Sequence, residues 1–200
     1  MSKSLSILCF GNSLTAGYYS YGLDYHPYAW KLEERLKAAF PTHTIRIDVD
    51  GLPGDLVNSP PGRFLPRLEQ KCAATSYDWV IMLGGTNDLG YMYPAEKILP
   101  GLIQAWTMAI KSGANVLALT VPECGAVHQR LNNTRAELNS QILSYDADSF
   151  YVFDLHKEVP YHSAAQDFKE KIWDDGVHMK PDGYDLVGNL IADHLIQLLS

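Results

Sequence analysis

The sequence has no apolar run of membrane length. Its longest hydrophobic stretches are strand-sized, short of the ~18–20 residues a spanning helix needs. Positive charge is scarce: 16 Lys and Arg stand against 23 Asp and Glu, a net charge of -7. That balance argues against nucleic acid or an anionic membrane as the main partner, since both call for a basic surface. Cysteine is sparse as well. Cys9, Cys72 and Cys124 make an odd number without metal-like spacing, so free thiols in a reducing compartment are expected. No pair of histidines has zinc-ligand spacing with a supporting carboxylate, so no metal is expected. Neither GxxxxGK[ST] nor GxGxxG occurs, which argues against nucleotide binding and leaves no cofactor implied. There is no repeat, low-complexity tract or inserted lid domain.

The opening Met1–Gly17 segment carries one lysine and then an apolar run, as a signal peptide would. The run Leu5–Phe10 is too short for a secretory core, and no small-residue cleavage site follows it. It reads as a first β-strand, and the expected location is the cytoplasm. Asn132-Asn133-Thr134 matches a glycosylation acceptor, which has no meaning without secretion.

What is present fits one globular domain over residues 1–200: 46% hydrophobic, 20% charged, with 15 Gly and 11 Pro as punctuation. Strand-like runs alternate with helical ones. The expected strands are Leu5–Phe10, Thr44–Val49, Asp78–Leu83, Asn115–Val121 and Phe150–Leu155. Asp78–Leu83 is almost continuously apolar, as a strand buried on both faces should be. The expected helices are Pro27–Phe40, Ala95–Ser112, His128–Tyr145 and Pro181–Leu199, with a weaker one at Phe64–Cys72. In the first of these the apolar positions are Trp30, Leu32, Leu36 and Phe40. The alternation predicts an α/β fold, a flavodoxin-like three-layer α/β/α sandwich with a five-stranded parallel sheet. Ligands in such folds bind beyond the carboxyl ends of the strands.

Four segments stand at those strand ends. They are Gly11-Asn12-Ser13-Leu14, Gly51-Leu52-Pro53-Gly54-Asp55, Gly85-Thr86-Asn87-Asp88 and Asp175-Gly176-Val177-His178. Together they supply a hydroxyl, glycine amides, a side-chain amide, a carboxylate and an imidazole, the parts required for acyl transfer. Each alone has a plainer reading. Ser13 fits a helix N-cap, Asn87 a turn, Gly84-Gly85 a phosphate-cradling loop, and His178 a structural histidine. Their occurrence in order, each at a strand end, favours the chemical reading.

The four blocks resemble those of the SGNH (GDSL) hydrolases, in family order and across nearly the whole chain. The resemblance implies a metal-independent serine ester hydrolase on small-molecule esters. It implies Ser13 as nucleophile, His178 as base and Asp175 as orienting acid. It also implies an oxyanion hole from the Ser13 and Gly54 backbone N–H groups and the Asn87 side-chain amide. Asn12 departs from the aspartate of GDSL, a loop-bracing residue, and keeps an acceptor oxygen. Gly-Asn-Ser-Leu-Thr fails the GxSxG elbow of α/β-hydrolases at its last position. Glycine at 54 is expected to let the backbone approach closely. Asp55, Asp88 and Asp174 are expected to brace loops. The tyrosines at 18, 19, 21 and 25 serve either packing or the cleft, with Tyr18 and Tyr19 as substrate-lining candidates. The absence of a lid favours short acyl esters, acetyl to butyryl. Thioesters, aryl esters and acylated carbohydrates remain open alternatives. A non-catalytic binding module on the same fold is the rival of another class.

Overall fold

The computed structural model describes residues 3–200. Its main sheet contains β1 (Ser4–Gly11), β4 (Thr44–Gly51), β5 (Trp79–Leu83), β6 (Asn115–Leu119) and β7 (Phe150–Phe153), ordered β4-β1-β5-β6-β7. Every pairing in it is parallel. The chain moves from β1 outward to β4, returns to β5 on the other side of β1, and continues to β7. That places the reversal of strand order between β1 and β5, where doubly wound sheets bind ligands.

Period-two alternation along β1 divides the core. Leu5, Ile7 and Cys9 face one side; Leu8 and Phe10 face the other. On the first side the sheet is covered by α2 (Tyr28–Ala39) and α9 (Pro181–Leu199), through Leu32, Leu36, Val187, Ile191 and Leu195. On the second it is covered by α3 (Phe64–Ala74), α5 (Ala95–Lys111) and α6 (Gln129–Ser144), through Leu68, Ile98, Leu102, Trp106 and Leu138. All five residues of β5 are buried, as its apolar run requires. This is the expected three-layer sandwich with five parallel strands.

The differences lie at element ends. The strand expected to run to Leu155 stops at Phe153, because Asp154 caps the one-turn α7 (Leu155–Glu158). β6 stops at Leu119, and Val121 instead exchanges two hydrogen bonds with the Asn139 side-chain amide. Trp30 is exposed and packs its ring against His26; Tyr28 and Ala29 take the buried places on α2. The tyrosine-rich stretch folds as a small antiparallel hairpin, β2 (Tyr18–Tyr19) with β3 (Asp24–Tyr25). The remaining short helices are α1 (Ser13–Ala16), α4 (Thr86–Gly90) and α8 (Gln166–Ile172). Among the described residues no helix is long and apolar enough to cross a membrane.

Candidate active site

Ser13 is the first residue of α1, immediately beyond β1. Asn12 caps this turn: its Oδ1 accepts the Leu14 N–H at 3.1 Å. The acceptor expected of Asn12 is therefore in use, while its Nδ2 is buried without a partner. An aspartate would carry no such orphaned amide. The turn closes with Gly17 in the left-handed region.

His178 Nε2 lies 2.9 Å from Ser13 Oγ, and His178 Nδ1 lies 2.7 Å from Asp175 Oδ2. The four-residue segment folds back on itself. Asp175 Oδ1 accepts the N–H groups of Val177 and His178 at 3.0 and 2.8 Å, and Gly176 sits at φ +83°. Non-glycine residues adopt that backbone rarely. Partial burial pushes the Asp175 carboxyl up, but bonds from the His178 ring, the His178 amide and the Val177 amide outweigh it and hold it below its ordinary range.

Asp174 turns elsewhere. Its Oδ2 accepts the Ser20 N–H at 2.7 Å, anchoring the hairpin to the histidine segment. The anchored hairpin sets the Tyr18 ring against the His178 ring, with centroids 4.5 Å apart. Tyr184, buried in α9, donates its hydroxyl to the Tyr18 carbonyl at 2.7 Å. Tyr19 donates its hydroxyl to Asp24 Oδ2 at 2.8 Å. Tyr18 thus acts on the histidine and Tyr19 on its own hairpin; the cavity described below is bordered by other residues.

The Asn87 amide donates to the Asp55 carbonyl at 2.8 Å, joining the loops after β5 and β4. Both loops are braced by buried carboxylates. Asp88 accepts the N–H groups of Val57 and Asn58, each at 3.0 Å, and the Asn58 side-chain amide at 2.7 Å. Asp55 accepts the Leu56 and Arg63 amides at 3.0 and 2.7 Å and pairs with Arg67. Arg67 also pairs with Asp50, bonds the Gly11 carbonyl and stacks over Phe10. This arginine ties the ends of β1 and β4 to the Gly54 loop, a role with no local sequence signal.

Gly54 takes a left-handed backbone in the loop after β4. It sits at φ +77°, and a Cβ there would meet nothing within 4 Å. The left-handed backbone at this position favours glycine. Gly51 is in close contact with protein backbone: a Cβ there would lie 2.2 Å from Ala16 N and 2.7 Å from Asn12 O, beneath the Ser13 turn.

Beside the Ser13 turn lies a cavity of about 270 Å³. Its wall includes the apolar Leu14, Leu89, Val121, Leu131 and Val177, together with Asn87. Cys124 also borders it and accepts from Arg135 at 2.9 Å; Cys9 is fully buried in the core. Burial pushes the Cys9 thiol up to about 12.

The GDSL-like lipase/acylhydrolase family model matches residues 9–186, and the chain belongs to that family. It is accordingly a carboxylic ester hydrolase. Solved structures share the fold throughout. A lipase/acylhydrolase from Enterococcus faecalis superposes with a TM-score of 0.75 at 22% identity, over 98% of this chain and 96% of that one. A member of the lipolytic G-D-S-L family from Veillonella parvula gives 0.73 at 20% identity, over 94% and 97%. A catalytic mutant of an acetylxylan esterase from Geobacillus stearothermophilus gives 0.72 at 18% identity, over 98% and 96%. None of the curated proteins matches the sequence.

Proposed function

We propose that this chain hydrolyses short acyl esters by a serine mechanism, with Ser13 as nucleophile, His178 as general base and acid, and Asp175 as orienting acid. The observation that carries the reading is the continuous hydrogen-bond chain from Ser13 Oγ through both His178 nitrogens to Asp175. A serine hydroxyl is a weak nucleophile at neutral pH, and a base within hydrogen-bond reach removes its proton as it attacks. Asp175 holds Nδ1–H, so Nε2 faces the hydroxyl as an acceptor.

Attack forms a tetrahedral oxyanion. The Ser13 N–H, among the first amides of α1, has no acceptor within its own helix. With the Gly54 N–H and the second amide hydrogen of Asn87 it makes the oxyanion hole that the family resemblance implies. His178 returns the proton to the leaving alcohol. Water, activated by the same imidazole, then hydrolyses the acyl-enzyme: one water enters, and an alcohol and a carboxylic acid leave.

The cavity supports a short acyl group. Its volume of about 270 Å³ lies below the ~300–1,000 Å³ of pockets for drug-sized ligands, and its lining is largely apolar. A chain-length series of nitrophenyl esters tests this. Acetyl to butyryl esters should be hydrolysed faster than esters of ten carbons or more, and a preference for the long chains would overturn the substrate reading.

A further inference from the structure

Among the described residues two arginines are buried, and they are satisfied very differently. Arg67 has carboxylates from Asp50 and Asp55, backbone carbonyls and an aromatic face. Arg135, on α6, is equally hidden at 4% exposure. Its two terminal nitrogens donate to Asn132 Oδ1 and to Cys124 Sγ, each at 2.9 Å. Its Nε has no partner. Among the described residues no carboxylate oxygen lies within ion-pair distance of it. A neutral amide and a thiol are poor recompense for desolvating a cation.

Arg135 borders the same cavity as Leu14, which follows the proposed nucleophile, and Asn87, a proposed oxyanion donor. Leu131, one helical turn earlier, borders it too, so this face of α6 forms part of the wall. A second polar atom on that wall is orphaned: Thr86 Oγ1 is buried without a partner. The other charged residue there, Glu123, is already committed, since its Oε2 accepts the Tyr161 and His162 amides at 2.6 and 2.9 Å.

We propose that Arg135 and Thr86 form an anion-recognising end of this cavity, and that the preferred substrate is an ester whose acyl group ends in a carboxylate. The inference rests on the serine-esterase reading above and adds the substrate class. The guanidinium offers paired N–H donors to a carboxylate and the Thr86 hydroxyl a further one. The apolar residues take the methylenes between the two ends. Hydrolysis consumes one water, breaks the acyl carbon–oxygen bond and releases the alcohol and a dicarboxylate.

Monoethyl succinate and ethyl 4-methylpentanoate have acyl groups of the same shape, a carboxylate in one replacing a dimethyl-substituted carbon in the other. Rates of both, followed by pH-stat, test the assignment in the wild type, Arg135→Met and Arg135→Lys. The wild type should favour the succinate ester in kcat/KM by on the order of 10-fold or more, the scale of a charge-assisted hydrogen bond. Arg135→Met should lose that preference, its kcat/KM ratio for the two esters falling toward one, and Arg135→Lys should keep part of it. An unchanged ratio in Arg135→Met, or an equal fall for both esters, would show a merely structural arginine and overturn the proposal. A binding measurement separates this from failure of the esterase reading. Succinate should raise the melting temperature of the wild type and not of Arg135→Met, whether or not any ester turns over. A shift shared by both proteins, or absent from both, would also overturn it.

Discussion

The side-chain amide of Asn87 and the backbone carbonyl of Asp55 are hydrogen-bonded at 2.8 Å, so two loops from different strands are locked together at the site. One amide hydrogen is used in that bond, and on the proposed mechanism the other meets the oxyanion. Asn87→Ala should lower kcat by roughly 10²–10³, with a smaller effect on KM, because the donor matters most once charge develops on oxygen. A raised KM with kcat intact would make Asn87 a ground-state binder instead.

The adjoining carboxylates of Asp174 and Asp175 have different partners, and their substitution should separate them. Asp175→Asn removes the charge facing His178 Nδ1 and should cost ~10–10³ in kcat. Asp174→Asn keeps an acceptor for the Ser20 amide and should cost little in rate. Kinetics on both purified variants decide the matter; greater damage from Asp174→Asn would shift the triad acid by one residue.

The two glycines after β4 should fail differently. Gly54→Ala meets no protein atom within 4 Å, and its left-handed backbone should cost ~1–2 kcal/mol of stability. Gly51→Ala drives a methyl group into the backbone beneath the Ser13 turn, which must shift. Thermal melts and activity should therefore show Gly51→Ala as the more damaging. The reverse order would mean that the Gly54 loop, not the turn above Gly51, controls the site.

Acid should weaken the histidine segment in a definite direction. The folded-state pKa of Asp175 is lowered, so its contribution to stability is present above the unfolded carboxylate's ordinary value and is lost as pH falls through the lower folded value. The melting-temperature gap between wild type and Asp175→Asn should accordingly narrow across that acid range. A gap that widened on acidification would contradict the hydrogen-bonding assigned to Asp175.

Much of the molecule was legible from sequence because periodicity and strand-end motifs are local signals. Asp78–Leu83 announced a buried strand, and the blocks around Ser13, Asn87 and His178 announced loops at one sheet edge. What escaped depends on contacts distant in the chain. Arg67 looks like an ordinary helical charge until Asp50 and Asp55 are brought to it. Arg135 sits in a polar helix whose sequence gives no sign that this residue faces inward. The Tyr18–Tyr25 hairpin depends on Asp174, 154 residues from the Ser20 amide it holds. Gly51 and Gly54 are both turn-formers by composition, and only the backbone above them distinguishes their roles.

The central claim is that Ser13 is the nucleophile activated by His178. Intact-mass measurement after treatment with a serine-directed fluorophosphonate, followed by peptide mapping, tests it most directly. The wild type should gain one phosphonyl group, on Ser13. His178→Ala should label far more slowly, and a folded Ser13→Ala should not label and should hydrolyse no nitrophenyl acetate. Stoichiometric labelling at another residue, or full turnover by a folded Ser13→Ala, would contradict the account.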